Sequence, residues 1–324
     1  MPRSRTRPLI STAAALLLAA SAACSTADPA PEPADPTGSA GPIEATAPTT
    51  STGQPSSAGQ DAGNVKVVAV GDVVCEPDED AYPVTATTCQ HAATADLTSR
   101  LDPALVIGLG DMQYEEGTPG QFADAWDETW GRFSDRIVTV PGNHEWRSDL
   151  SGWYETFGSE VPAATRAGGW GIYLVDANCD RVDCDEQAAW LGQQLAADPG
   201  RCQLVAWHQP RVSSGGGAEE STDPLWQAAV EGRADIVLNA HDHLYERFTR
   251  MDGGLQPADV GVREFIVGTG GKSLYLFGEP ETGSEARVPD TFGVLELTLD
   301  PTAYAWRFVD IDDQTRDAGD DVCR

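Results

Sequence analysis

Five short apolar runs in this chain each end in a side chain that can hold a metal ion, and that placement constrains the fold more than any other feature. The runs Val65 to Val70, Ala104 to Leu109, Arg136 to Val140, Gln203 to Trp207 and Asp235 to Leu238 are followed by Asp72, Asp111, Asn143, His208 and His241. Two more runs, Ile172 to Val175 and Glu264 to Val267, have the same Val/Ile/Leu character. Between the runs lie stretches of helical period, His91 to Leu101, Phe122 to Phe133, Asp185 to Ala197 and Asp223 to Glu231, so the pattern predicts an α/β domain. Phe292 to Asp310 reads as a closing hairpin, with Thr298 to Ala303 as its turn. Loops at the carboxyl ends of strands in an open α/β sheet converge on one crevice, so the five side chains are expected to meet in space.

The domain is expected to begin at Asn64. Residues 1–23 read as an export signal: Arg3, Arg5 and Arg7, then an apolar stretch from Leu9 to Ala20 too short to span a bilayer. Ser21-Ala22-Ala23-Cys24 resembles a lipobox with Cys24 as the lipidated residue, which would attach the chain to a membrane. Ser21 stands where an aliphatic residue is usual, so ordinary cleavage and free secretion remain the alternative. Residues 24–63, rich in Ala, Pro, Ser, Thr and Gly, read as a disordered tether, and 64–324 as one catalytic domain without a preceding β-sandwich domain. Acidic residues outnumber basic ones 51 to 21, and the formal net charge of -30 argues against nucleic-acid binding. Beyond Cys24 the cysteines number six, an even count that suits disulfides outside the cytoplasm. The expected pairs are Cys75 with Cys89, Cys179 with Cys184, and Cys202 with Cys323.

The strand-end residues sit in recognisable blocks: Gly71-Asp72, Gly110-Asp111-Met112-Gln113-Tyr114, Gly142-Asn143-His144-Glu145, Val205-Ala206-Trp207-His208 and Ala240-His241-Asp242-His243. In this order they resemble the signature blocks of the purple acid phosphatases, within the calcineurin-like metallophosphoesterases. Leu244-Tyr245-Glu246-Arg247 extends the likeness. The resemblance implies a four-layer α/β/β/α sandwich of two mixed β-sheets flanked by helices, with the site along their shared edge.

The same resemblance implies two metal ions bridged by Asp111. Asp72, Tyr114 and His243 would complete one site, and Asn143, His208 and His241 the other. A phenolate ligand favours Fe(III), with divalent Zn, Mn or Fe beside it. The implied reaction is hydrolysis of a small phosphoester by a metal-activated hydroxide, with His144 helping to protonate the leaving alkoxide. Phosphomonoesters are the favoured substrates. A phosphodiesterase acting on nucleotides or lipid headgroups is the enzyme alternative, and a metal-dependent surface binding protein is the non-catalytic one.

Each assignment has a simpler rival. Asp72 and Asp111 could be helix caps or turn residues, Tyr114 a pocket aromatic, and His241 with His243 a surface pair. Yet four of only five histidines fall inside the blocks. The fifth, His91, is expected to cap or pack. Val74 and Ala240 depart from the family's glycines at positions that concern backbone fit. Gln209 stands where related phosphatases often have a second histidine that holds phosphate, which leans toward a diester. Arg211 and Arg247 lie near the motifs and can either bind phosphate or form structural ion pairs. Gly270-Gly271-Lys272-Ser273 lacks the spacing of a P-loop and reads as a strand-end turn. Trp126, Trp130, Trp153 and Trp170 are assigned to the core.

Overall fold

A computed structural model describes residues 64–76 and 84–324. The export segment, Cys24 and the tether lie outside the described residues. Within them, two mixed sheets face each other. The first has six strands in the order β13 (Thr315–Val322), β12 (Ala303–Asp310), β11 (Gly293–Asp300), β1 (Val65–Val70), β2 (Leu105–Gly108), β3 (Ile137–Thr139). The second has seven, in the order β10 (Ser284–Val288), β8 (Tyr245–Met251), β9 (Val262–Val267), β7 (Ile236–Asn239), β6 (Gln203–Ala206), β5 (Trp170–Leu174), β4 (Ala163–Ala167).

The strand period of two separates the layers. In β1, Val67 and Ala69 enter the core between the sheets, whereas Val68 and Val70 face outward onto α1 (His91–Leu101). Leu204 and Ala206 of β6 face the inter-sheet core, while Val205 faces the layer of α5 (Cys184–Ala197) and α6 (Asp223–Glu231). Strands buried on both faces read as continuous apolar runs, which is why the central ones were visible in sequence. The expected four-layer sandwich is the observed fold.

The expected helix from Phe122 to Phe133 is broken into α2 (Pro119–Gln121), a π turn (Phe122–Trp126), α3 (Asp127–Thr129) and a 3-10 turn (Trp130–Phe133). The wider π turn shifts the register by one residue, and Phe122, Trp126, Trp130 and Phe133 all reach the outer core. The Trp130 indole donates to the His91 carbonyl at 2.9 Å. The closing hairpin forms, but with Asp300 paired to Ala303, so its turn is only Pro301 and Thr302. A short helix, α4 (Ser151–Phe157), and strands β4, β8, β10 and β13 have no counterpart in the sequence reading. The outermost of these, β4, β10 and β13, are edge strands with alternating exposure, held by backbone ladders rather than by an apolar pattern. All three expected disulfides, Cys75–Cys89, Cys179–Cys184 and Cys202–Cys323, are formed.

Candidate metal centre

The strand-end loops of both sheets are sewn together by backbone bonds. Gly71 N–H donates to Val267 O at 2.9 Å, linking β1 of one sheet to β9 of the other, and Asp72 N–H donates to Gly110 O at 3.1 Å. Three of the expected ligands leave their strands in left-handed conformations: Asp72 at φ 58°, Asp111 at φ 49° and His241 at φ 69°. Such conformations cost about 1–3 kcal/mol each and persist where the surroundings over-determine them. Gly142 is required by contact, because a Cβ there would stand 2.1 Å from Asp111 Oδ1.

One group of donors gathers on Tyr114. Its hydroxyl lies 2.7 Å from Asp72 Oδ1, 3.1 Å from Asp111 Oδ2 and 2.9 Å from His243 Nε2, and His243 Nε2 is 3.2 Å from Asp72 Oδ1. A second group also includes Asp111. Asp111, His208 and His241 place ligand atoms within 4.8 Å of one another, with His208 Nε2 3.3 Å from Asp111 Oδ2. Asp111 therefore belongs to both groups.

The donor chemistry fits two cations. His208 Nδ1 lies 2.7 Å from the Leu109 carbonyl, which can only accept, so Nδ1 carries the hydrogen and Nε2 turns toward the site. That Nε2 and Asn143 Oδ1 are buried with no hydrogen-bond partner. Groups of this kind carry a substantial desolvation penalty unless something pairs with them. Burial opposes ionisation of Asp111, but the neighbouring His208 outweighs it and holds the carboxyl below the usual range. Burial likewise opposes protonation of His208, and Asp111 outweighs it, raising the imidazole to about 10. Burial, then the charges of Asp111 and Asp72, push the Tyr114 phenol well above 10.0. A bound cation would displace any proton held on His208 Nε2 or on the Tyr114 hydroxyl, so uptake would depend on pH.

His144 lies beside this centre. Its Nδ1 is 2.6 Å from the Glu115 carbonyl and its Nε2 3.9 Å from Asp111 Oδ2, while its backbone N–H donates to Asp111 Oδ1 at 2.9 Å. The cleft over the second donor group has a volume of ≈ 530 Å³ and is lined by Asn143, His241, Asn178, Gln209, Asp180 and Glu219 among others. Arg211 and Arg247 do not line it. Arg211 donates to Asp223 at 2.9 Å. Arg247 donates to Asp317 at 2.8 and 3.1 Å and pairs with Glu285, stacking on Trp306. Both guanidiniums are neutralised by carboxylates, the structural alternative weighed for them above.

Residues without a role in the sequence reading support the centre. Glu145 is fully buried and accepts from the backbone N–H groups of Asp111 at 2.9 Å, Gln113 at 3.1 Å and Gly142 at 2.8 Å, tying two ligand loops together. Burial and the Asp111 charge push its carboxyl up to about 7. Ser273 Oγ lies 2.8 Å from His243 Nδ1, and Lys272 pairs with Glu115 and lies 4.7 Å over the Tyr114 ring. The Gly270 to Ser273 segment bends just past the end of β9, and it also braces His243. Glu145 stood in a quoted block beside His144; only burial, invisible in sequence, distinguishes it from a surface glutamate. His91 packs at the start of α1, and burial lowers it to about 4. The four tryptophans assigned to the core are at most 1% exposed.

Residues 65–245 match the family model for calcineurin-like phosphoesterases, and the chain belongs to that family. No curated protein sequence matches it significantly. Among solved structures it is similar to the purple acid phosphatase PPD1 of yellow lupin (Lupinus luteus), with a TM-score of 0.64 at 20% identity. That likeness covers 80% of this chain but 54% of the lupin chain, so this chain spans about half the length of that relative. It is similar also to GAP50, the anchor in the inner membrane complex of Plasmodium, with a TM-score of 0.60, 13% identity and coverage of 81% and 90%. PhoD follows with a TM-score of 0.53, 12% identity and coverage of 82% and 69%. At these identities the likenesses establish the fold.

Proposed function

We propose that this chain is an exported hydrolase of small phosphoesters, phosphomonoesters foremost, working with a dinuclear metal centre. The observation that carries the reading is the pair of donor groups sharing Asp111, with Asn143 Oδ1 buried and without a partner beside it. Asp72, Tyr114 and His243 would hold one ion and Asn143, His208 and His241 the other, with a phenolate at Tyr114 favouring Fe(III) and the second ion a divalent Zn, Mn or Fe. When bound, such ions supply an acidified water and neutralise charge on the phosphoryl oxygens. The fold also serves a Plasmodium anchor protein, so the catalytic reading rests on the site and not on the fold.

The chain's own residues have defined tasks. His144 keeps Nδ1–H on the Glu115 carbonyl, which aims Nε2 to carry the proton that the departing alkoxide takes. Asp111 accepts the His144 backbone N–H, so the bridging carboxylate and the proton carrier are fixed relative to each other. Glu145 holds the Asp111 and Gly142 loops at one separation. Three disulfides support residence in an oxidising compartment. A phosphodiester reading draws on the cleft, which has no Lys or Arg among its lining residues and suits a less highly charged phosphate.

The test compares hydrolysis of an aryl phosphate monoester with that of its bis-aryl diester by metal-loaded protein, with Asn143→Ala alongside. Monoester turnover that falls at least about a hundredfold in the variant supports the proposal. Faster diester turnover moves the assignment to a phosphodiesterase, and no turnover of either refutes catalysis.

A further inference from the structure

Gln209 is 6% exposed, lines the cleft and has one amide atom, Oε1, that is buried without a partner. Its orientation is dictated by a relay that starts from atoms able only to accept. Asp176 Oδ1 accepts from Asn178 Nδ2 at 2.7 Å, and the Pro141 carbonyl accepts from the same nitrogen at 3.3 Å. Asp176 is itself held by the Asn178 backbone N–H at 2.9 Å and by the Trp146 indole N–H at 3.0 Å. The Asn178 amide nitrogen must therefore face Asp176, and its Oδ1 must face the other way. That oxygen accepts from Gln209 Nε2 at 2.9 Å. A carboxylate and a carbonyl thus fix one amide, that amide fixes the next, and the last free group is an oxygen.

We infer that Gln209 Oε1 is a specificity-determining acceptor, selecting phosphoesters whose organic group donates hydrogen bonds, such as polyol or amino-alcohol phosphates. The inference rests on the phosphoester reading above and names the substrate class of that same site. An acceptor repels phosphoryl oxygens and attracts O–H or N–H. The rest of the cleft agrees, because its two charged rim residues, Asp180 and Glu219, are acidic, and no Lys or Arg is among the lining. Asp180 also pairs with Arg181 at 3.4 Å. A substrate carrying a second phosphate would meet an acceptor and acidic side chains, whereas a glycerol-like or ethanolamine-like group would satisfy the buried oxygen. Asn178 is the positioning residue that keeps Gln209 from presenting its nitrogen instead.

The experiment is calorimetric binding of three phosphonates to the metal-loaded full chain: dihydroxypropyl phosphonate, propyl phosphonate and phosphonoacetate. None is turned over by ester hydrolysis, so binding is read apart from activity. The dihydroxy compound is expected to bind about tenfold tighter than the propyl compound, the worth of one well-made neutral hydrogen bond, and phosphonoacetate weakest. In Gln209→Met, which keeps the shape without the acceptor, the dihydroxy preference should fall to within about twofold, and Asn178→Leu should reduce it through loss of orientation. Equal binding of the dihydroxy and propyl compounds by the unaltered chain overturns the inference whether or not either variant folds, as does a preference that survives Gln209→Met. Absence of aryl ester turnover with the dihydroxy preference intact would sink the hydrolase reading while leaving the acceptor assignment standing.

Discussion

Replacing Ser273 by Ala removes one oxygen from the support of His243 and leaves the proposed ligands themselves in place. His243 directs Nε2 to the Tyr114 hydroxyl and Asp72 Oδ1, the position a cation would share; with Nε2 given to a cation, Nδ1 would carry the hydrogen and donate to Ser273 Oγ, 2.8 Å away. His243 is 4% exposed, and water is poorly placed to replace the lost acceptor. An unsatisfied buried N–H costs about 1–3 kcal/mol. Because Ser273 itself is only half-buried, the lower part of that range applies, about 1–2 kcal/mol or roughly tenfold in metal affinity, the size expected for a partner bracing a metal-bound imidazole. The loop backbone does not depend on the hydroxyl: Lys272 N–H donates to Asp72 O at 3.1 Å and Tyr275 N–H to His243 O at 2.8 Å. Competition for zinc against a chromophoric chelator near neutral pH measures the effect, and Ser273→Thr, which restores a hydroxyl, should recover affinity to within about threefold. Unchanged zinc affinity in Ser273→Ala would refute the reasoning and leave orientation to the Tyr275 ring stacked 4.1 Å from His243.

Asp317→Asn should cost about 2–3 kcal/mol in denaturant unfolding near neutral pH, because the carboxylate accepts from Tyr245, Arg247 and Trp306 at once. Burial opposes ionisation of Asp317, but Arg247 and Tyr245 outweigh it and lower its pKa from 3.8, so its contribution is present above that value and is lost as pH falls through the folded pKa. The deficit of the variant should therefore shrink in acid. Replacing Cys202 and Cys323 together by Ser opens a bridge across a sequence separation of 121 and should lower unfolding free energy by about 2–5 kcal/mol. Iron-loaded protein should show a visible phenolate-to-ferric absorption that Tyr114→Phe abolishes; its persistence would remove Tyr114 from the ligand set.

The sequence by itself determined the central strands, the flanking helices α1, α5 and α6, and the convergence of the strand-end residues Asp72, Asp111, Asn143, His208 and His241. Each of those follows from local rules: two-sided burial writes continuous apolar runs, helical period marks one buried face, and a residue just past a parallel strand has nowhere to go but the crevice. The six paired cysteines were legible from their even count in a chain read as exported. Tertiary structure alone decided the rest. The edge strands β4, β10 and β13 are held by backbone bonds that carry no side-chain signature. The helix expected from Phe122 to Phe133 is interrupted by a π turn and a 3-10 turn that its apolar spacing does not announce. Arg211 and Arg247 were placed on carboxylates distant in sequence. Glu145, Ser273 and the relay from Asp176 through Asn178 to Gln209 gained their roles from burial and from the direction of single hydrogen bonds. Those are properties of three-dimensional neighbourhoods and not of a residue's place in the chain.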